Sequence, residues 1–122
     1  MNLRLLPVSP CLSLLAALAP ARHNARMPAT KLDDQQIAVE LAKLRGWTID
    51  GGKLHRVFEF RDFVQAFSFM TAVALAAEKM DHHPDWSNGW NKVTVDLVTH
   101  SAGGITANDF ALAAKMQQLA GS

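Results

Sequence analysis

The chain has 122 residues, of which 49% are apolar and 19% charged, the composition of one globular domain and not of a disordered chain. Its 12 basic and 11 acidic residues leave a net charge of +1, and from residue 31 onward the balance is 9 against 11, so no basic field marks a nucleic-acid partner. The single cysteine, Cys11, excludes an intrachain disulfide framework and a thiolate metal site.

Residues 1–30 hold Arg4, Arg22 and Arg26 and no acidic residue, and the apolar run 11–19 is too short to cross a bilayer, so no membrane attachment is expected. Arg4 ahead of a run ending in Ala17, Leu18 and Ala19 has the form of an export signal, although Pro20 directly after it disfavours cleavage there. An acid-poor, arginine-bearing leader also suits an organelle transit peptide, and Met27 offers a start that places the leader outside the protein. The expected division is a leader over 1–30 and one domain over 31–122. The expected location is cytoplasmic, or a mitochondrion or plastid if residues 1–26 are a transit peptide.

From Lys31 the pattern becomes periodic. Asp33 and Asp34 are cap candidates ahead of Ile37, Leu41 and Leu44 at helical spacing, and Gly46 is the stop. Residues 47–49 and 54–60 are rich in aromatic and branched side chains and flank Asp50, Gly51 and Gly52, which predicts an antiparallel hairpin. Asp62 caps a long helix to about Met80 with two apolar stripes. One is Phe63, Phe67, Met70, Ala74 and Ala77; the other is Ala66, Phe69, Val73, Ala76 and Met80. A single sheet face does not cover so wide an arc, which predicts a homodimer or homotetramer formed through residues 62–80, with Phe69 and Val73 on the outer stripe.

Residues 85–90 and 92–99 read as a second hairpin turning near Asn88, Gly89 and Asn91, in which Val93, Val95 and Leu97 alternate with Thr94 and Asp96. Gly103 and Gly104 break the chain, Thr106 and Asp109 form a capping box, and Leu112, Met116 and Leu119 continue as a last helix. The order α-β-β-α-β-β-α, with strands in hairpins, predicts an α+β fold: an antiparallel four-stranded sheet with three helices on one face.

Three of the five histidines fall between residues 78 and 100, in EKMDHHPDWSNGWNKVTVDLVTH. The residue before a proline leaves the helical region, so the long helix ends by about His82, ahead of Pro84. There the negative end of the helix dipole and Glu78, four residues upstream, both favour an imidazolium at His82. His83, extended before Pro84, points elsewhere, so the two rings flank a space. His100 ends a strand before a glycine-bearing loop, where backbone groups line pockets, and Trp86 and Trp90 offer flat walls to an aromatic ligand. A histidine near neutrality gives a proton to a leaving oxygen or takes one from a ring nitrogen. His23 and His55 stand alone and read as structural. Three histidines also raise zinc, but adjacent histidines rarely share one metal and no helical pair three or four apart is present.

EKMDHHPDW followed by NKVTVDLVTH resembles the signature of the pterin-4a-carbinolamine dehydratase family. The resemblance runs from Lys31 to Leu119, through Gly46 and Trp47, FEFRDFVQAFSFMTAVALAAEK, and THSAGGIT with Asn108 and Asp109. It implies a lyase that dehydrates 4a-hydroxytetrahydrobiopterin, or a related reduced pterin, to the quinonoid dihydropterin and water, in tetrahydrobiopterin recycling, with no metal or organic cofactor. It implies catalytic roles for His82, His83 and His100, with Glu78 in support. It places Asp81, Val98, Thr99 and Ser101 along the substrate pocket, with Trp86 as a further wall. Animal relatives often carry an acidic residue after the last histidine and then a cysteine, where this chain has Ser101 and Ala102. Some also serve as dimerisation cofactors of a transcription factor, so a non-catalytic interaction module with the same fold is the alternative reading.

Overall fold

A computed structural model describes residues 29–121; Cys11, His23 and nearly all of the expected leader lie outside the described residues. The elements are α1 (Asp34–Leu41), β1 (Thr48–Asp50), β2 (Lys53–Glu59), α2 (Phe63–Met80), β3 (Asp85–Gly89), β4 (Lys92–Leu97), a 3₁₀ turn (His100–Ala102) and α3 (Ala107–Ala120). The fold is α+β, with the four strands in one antiparallel sheet ordered β1-β2-β4-β3.

Local chemistry accounts for most element ends. Asp33 accepts the Gln36 backbone N–H at 2.8 Å while the Gln36 side chain accepts that of Asp33 at 2.9 Å, a reciprocal cap that starts α1. The helix stops at Leu41, short of the expected run to Gly46, and Leu44 follows in a tighter turn through Leu44 N–H to Leu41 C=O. Asp62 accepts the Gln65 N–H at 2.8 Å and starts α2. Gly51 and Gly52, both at positive φ, close the first hairpin between the paired residues Asp50 and Lys53. The second hairpin turns in the expected region, with its first strand one residue shorter than expected: Gly89 pairs with Lys92, so Trp90 and Asn91 form the loop and Trp90 takes φ +47°. Asn88 holds that conformation by donating to the carbonyls of Trp90 and Lys92, and Asn91 Nδ2 donates to Phe60 C=O at 2.9 Å.

Strand alternation sends Leu54 and Phe58 of β2 and Val93, Val95 and Leu97 of β4 to the buried side, against Ala66, Phe69, Val73 and Ala77 of α2 and Phe110, Leu112, Ala113 and Met116 of α3. Phe69 fits between Phe58 and Phe60, with ring centroids 4.8 and 4.9 Å away. The opposite sheet face is polar, with His55 Nδ1 2.9 Å from Asp96 Oδ1, so His55 is a structural residue.

The stripe expected to face outward lies inward: Ala66, Phe69 and Val73 are buried together with Ala77 of the other stripe. Phe69 and Val73 lie in the core, while Phe63, Val64, Phe67 and Leu75 are 49%, 72%, 54% and 71% exposed. The sheet is narrow and α3 takes the other flank of α2, so a helix apolar around most of its circumference leaves one stripe uncovered. Phe69→Glu is therefore expected to abolish cooperative thermal unfolding, because an unpaired carboxylate in the core costs several kcal/mol. Phe67→Glu is expected to keep a native far-ultraviolet spectrum; circular dichroism of both variants is the check.

Candidate active site

Asp81 decides where the histidine pair goes. It follows the last residue of α2 in the left-handed conformation, φ 52° and ψ 41°, a state that a short polar side chain tolerates. The reversal is closed by His82 N–H to Ala77 C=O at 3.1 Å and Asp81 N–H to Glu78 C=O at 3.1 Å, the double bond of a Schellman turn. The helix thus ends two residues before His82, and the expected contact from Glu78 to His82 does not form. Glu78 Oε2 instead lies 2.9 Å from Nε2 of His83, five residues on and exposed.

His82 turns inward. Its Nε2 lies 2.6 Å from Oδ1 of Asp109, whose residue is 0% exposed. Oδ2 of Asp109 accepts the Thr99 hydroxyl at 2.8 Å and the Thr106 backbone N–H at 2.9 Å. The single Thr99 proton is spent on Asp109, so the Thr106 hydroxyl, 2.7 Å from that of Thr99, donates to it and accepts the Asn108 N–H at 3.2 Å. The buried carboxylate thus has three hydrogen-bond partners, at the N-terminal turn of α3 where the helix dipole favours negative charge. With Asp109 as acceptor, the Nε2 of His82 is the donor and Nδ1 is the nitrogen left for another partner.

The loop after β4 brings His100 to the same end of the domain. Thr99 and Gly104 exchange backbone hydrogen bonds of 3.0 and 3.3 Å, pinching 99–104 into a closed loop. A Cβ on Gly104 would meet the Lys31 side chain at 2.7 Å, a contact that this flexible side chain can relieve by shifting. His100 begins the 3₁₀ turn three residues beyond the end of β4, so it does not end the strand as expected. Its Nε2 lies 3.4 Å from Oδ2 of Asp85.

Each imidazole therefore has its own carboxylate, on a different element: Asp109 on α3 for His82, Glu78 on α2 for His83, Asp85 on β3 for His100. Among the other expected residues, Asp81 and Ser101 are exposed, Val98 is half-buried, and Trp86 is partly buried against the core beside Val95. Thr99 is buried with its hydroxyl on Asp109. The residue that sequence reasoning missed is Asp109. The capping-box pattern identified its contact to Thr106, made through Oδ2, but a capping carboxylate has a second oxygen, and the apolar Ile105 and Phe110 close by in sequence were the signal that it could be buried and need a partner. Among the described residues no three His, Cys, Asp or Glu side chains converge as around a metal ion.

A groove of about 660 Å³ lies between α1 and α3, lined by Leu32, Val39, Phe110 and Ala114 among others, and holds none of the histidines. Its acidic groups are already engaged, Asp33 as the cap of α1 and Glu40 with Lys43 at 3.1 Å, so it offers no free proton-transfer group.

The family model for pterin 4 alpha carbinolamine dehydratase matches residues 30–119, the span that contains all three histidines and their carboxylates. The chain belongs to this family. A pterin-4-alpha-carbinolamine dehydratase homologue of Solibacter usitatus is 55% identical over 91 residues, covering 75% of this chain and 96% of its own length. One of Sinorhizobium fredii is 53% identical over 96 residues, 77% of this chain and 91% of its own. Among solved structures, a transcriptional coactivator/pterin dehydratase from Brucella melitensis is 44% identical with a TM-score of 0.73, covering 75% of this chain and 99% of that one. A pterin dehydratase-like protein identified as a RuBisCO assembly factor in the alpha-carboxysome is 27% identical with a TM-score of 0.52, covering 62% and 88%. In this family fold, Asp109→Asn is expected to lower unfolding free energy by about 1–3 kcal/mol, because it breaks a charge-assisted bond and leaves buried donors unmatched. Urea denaturation of the variant against the wild type measures it.

Proposed function

We propose that this chain dehydrates 4a-hydroxytetrahydrobiopterin, or a related reduced pterin carbinolamine, to the quinonoid dihydropterin and water, in tetrahydrobiopterin recycling. The observation that carries the reading is the carboxylate-backed His82 just beyond α2, joined through Asp109 to Thr99, the residue preceding His100. In the reaction the N5 lone pair forms a double bond to C4a as the C4a–O bond breaks. The departing hydroxyl takes a proton and leaves as water, and N5 loses its proton. One positioned base and one positioned acid suffice, so the proposed chemistry needs no metal or organic cofactor.

Asp109 stabilises the imidazolium that forms when His82 accepts a proton, which suits His82 to the base role. His83 with Glu78, and His100, supply the exposed imidazolium that protonates the leaving oxygen. Asp81, Val98, Thr99, Ser101 and Trp86 border the proposed substrate slot. The domain at work is residues 31–122, with 1–30 a leader that plays no part in the chemistry. Among the described residues no helix is long and apolar enough to cross a membrane.

His82→Gln, which keeps a donor for Asp109, and His100→Ala are each expected to slow carbinolamine dehydration by about 10²- to 10⁴-fold, the range for loss of a positioned acid or base. A stopped-flow assay of carbinolamine decay measures this, and rates near wild type in either variant remove that residue from the mechanism. Activity is expected to survive exhaustive chelation.

The uncovered stripe of α2 supports a second property. Phe63, Val64, Phe67 and Leu75 are the apolar surface through which we propose that the chain forms a homodimer or homotetramer, with non-catalytic interaction as the alternative use of the same face. Light scattering of the wild type is expected to give a multiple of the monomer mass, and Phe67→Glu to give the monomer with its fold intact.

A further inference from the structure

We infer that Asp85 is a positioning residue for His100, an inference that rests on the proton-transfer role proposed above for His100. The need for such a residue follows from exposure. The His100 side chain is 77% exposed at the start of a 3₁₀ turn, so packing does not select its rotamer. An acid or base works only when its ring is held within a fraction of an ångström of the productive place. His82 is held by burial and by Asp109; for His100 the polar partner is Asp85, 3.4 Å from Nε2.

Asp85 is itself well placed to act as a fixed point. It is the first residue of β3, directly after Pro84, whose ring restricts the backbone, and it pairs in register with Asp96 of β4. Two carboxylates opposite each other on one sheet face repel. Here they are drawn apart: Asp96 is engaged by His55 of β2 at 2.9 Å, and Asp85 is left to the His100 side. Lys53 Nζ of β2 lies 3.9 Å from the same Oδ2 that faces His100, so one carboxylate oxygen sits between an ammonium and an imidazole. The contact of 3.4 Å is long for a hydrogen bond, as is common for catalytic groups before substrate binds.

The same stretch of chain, 81–85, therefore serves all three imidazoles. It sends His82 to Asp109, leaves His83 to Glu78, and delivers Asp85 to His100.

The test is a double-mutant cycle on the full chain, with kcat and KM for carbinolamine dehydration measured for wild type, Asp85→Ala, His100→Ala and the double variant, and with melting temperatures alongside. Asp85→Ala is expected to lower kcat about 5-fold with KM changed less than about twofold, the scale of an exposed charged pair. Asp85→Glu restores most of the loss. In the His100→Ala background, Asp85→Ala is expected to cost nothing further, because its effect passes through the imidazole. An equal loss in both backgrounds, or no loss in the single variant, overturns the inference while leaving the role of His100 intact. A His100→Ala variant with wild-type kcat overturns the role of His100 and the inference with it, and is recognised by that variant alone. A drop in melting temperature that parallels the loss of kcat across Asp85→Ala and Asp85→Glu assigns Asp85 to the fold and also overturns the inference.

Discussion

The carboxylate of Asp109, inaccessible to solvent and engaged by His82, Thr99 and the Thr106 backbone, is the constraint on which the rest of the site depends. A charge so placed is tolerable only if all of its acceptor capacity is met, because an unpaired buried carboxylate costs far more than one domain can spare. The demand reaches three elements at once: the end of α2 must reverse to bring His82, the segment after β4 must present Thr99, and α3 must begin at Thr106. Packing of the apolar faces brings these elements into the same region, and the polar cluster specifies their register within it.

That arrangement explains why the two adjacent histidines have different surroundings. A continuous helix would have set His82 one turn above Glu78, with both groups exposed to water. The left-handed Asp81 and the Schellman turn rotate the chain so that His82 enters the interior and His83 takes over the contact to Glu78. One imidazole is then held by buried, charge-assisted bonds and the other by an exposed pair whose worth is at most about 1 kcal/mol. Proton transfer between a substrate and two groups benefits from that asymmetry, since one group is held in place while the other stays accessible to substrate and solvent.

Away from the site, α2 carries a division of labour along its circumference. Ala66, Phe69, Val73 and Ala77 close the core, while Phe63, Val64, Phe67 and Leu75 remain outside. The helix that positions Glu78 and His82 at its C-terminal end thus offers along its length the apolar surface of a candidate interface.

The order of helices and strands was legible from local pattern alone, because caps such as Asp33, Asp62 and Thr106, the Gly51–Gly52 turn and the alternation of Val93, Val95 and Leu97 depend on neighbours within a few residues. The importance of the 78–100 stretch was legible for the same reason, as a local density of imidazoles and carboxylates. Partner choice was not. Glu78 at four residues from His82 was the natural pair on a helix, and only the backbone reversal at Asp81, a tertiary compromise that lets His82 reach an oxygen 27 residues away, gave Glu78 to His83. Which stripe of α2 faced inward was equally undetermined, since both are apolar and periodic. The fit of Phe69 between Phe58 and Phe60 chose between them, and such a fit exists only once the sheet and the helix have met.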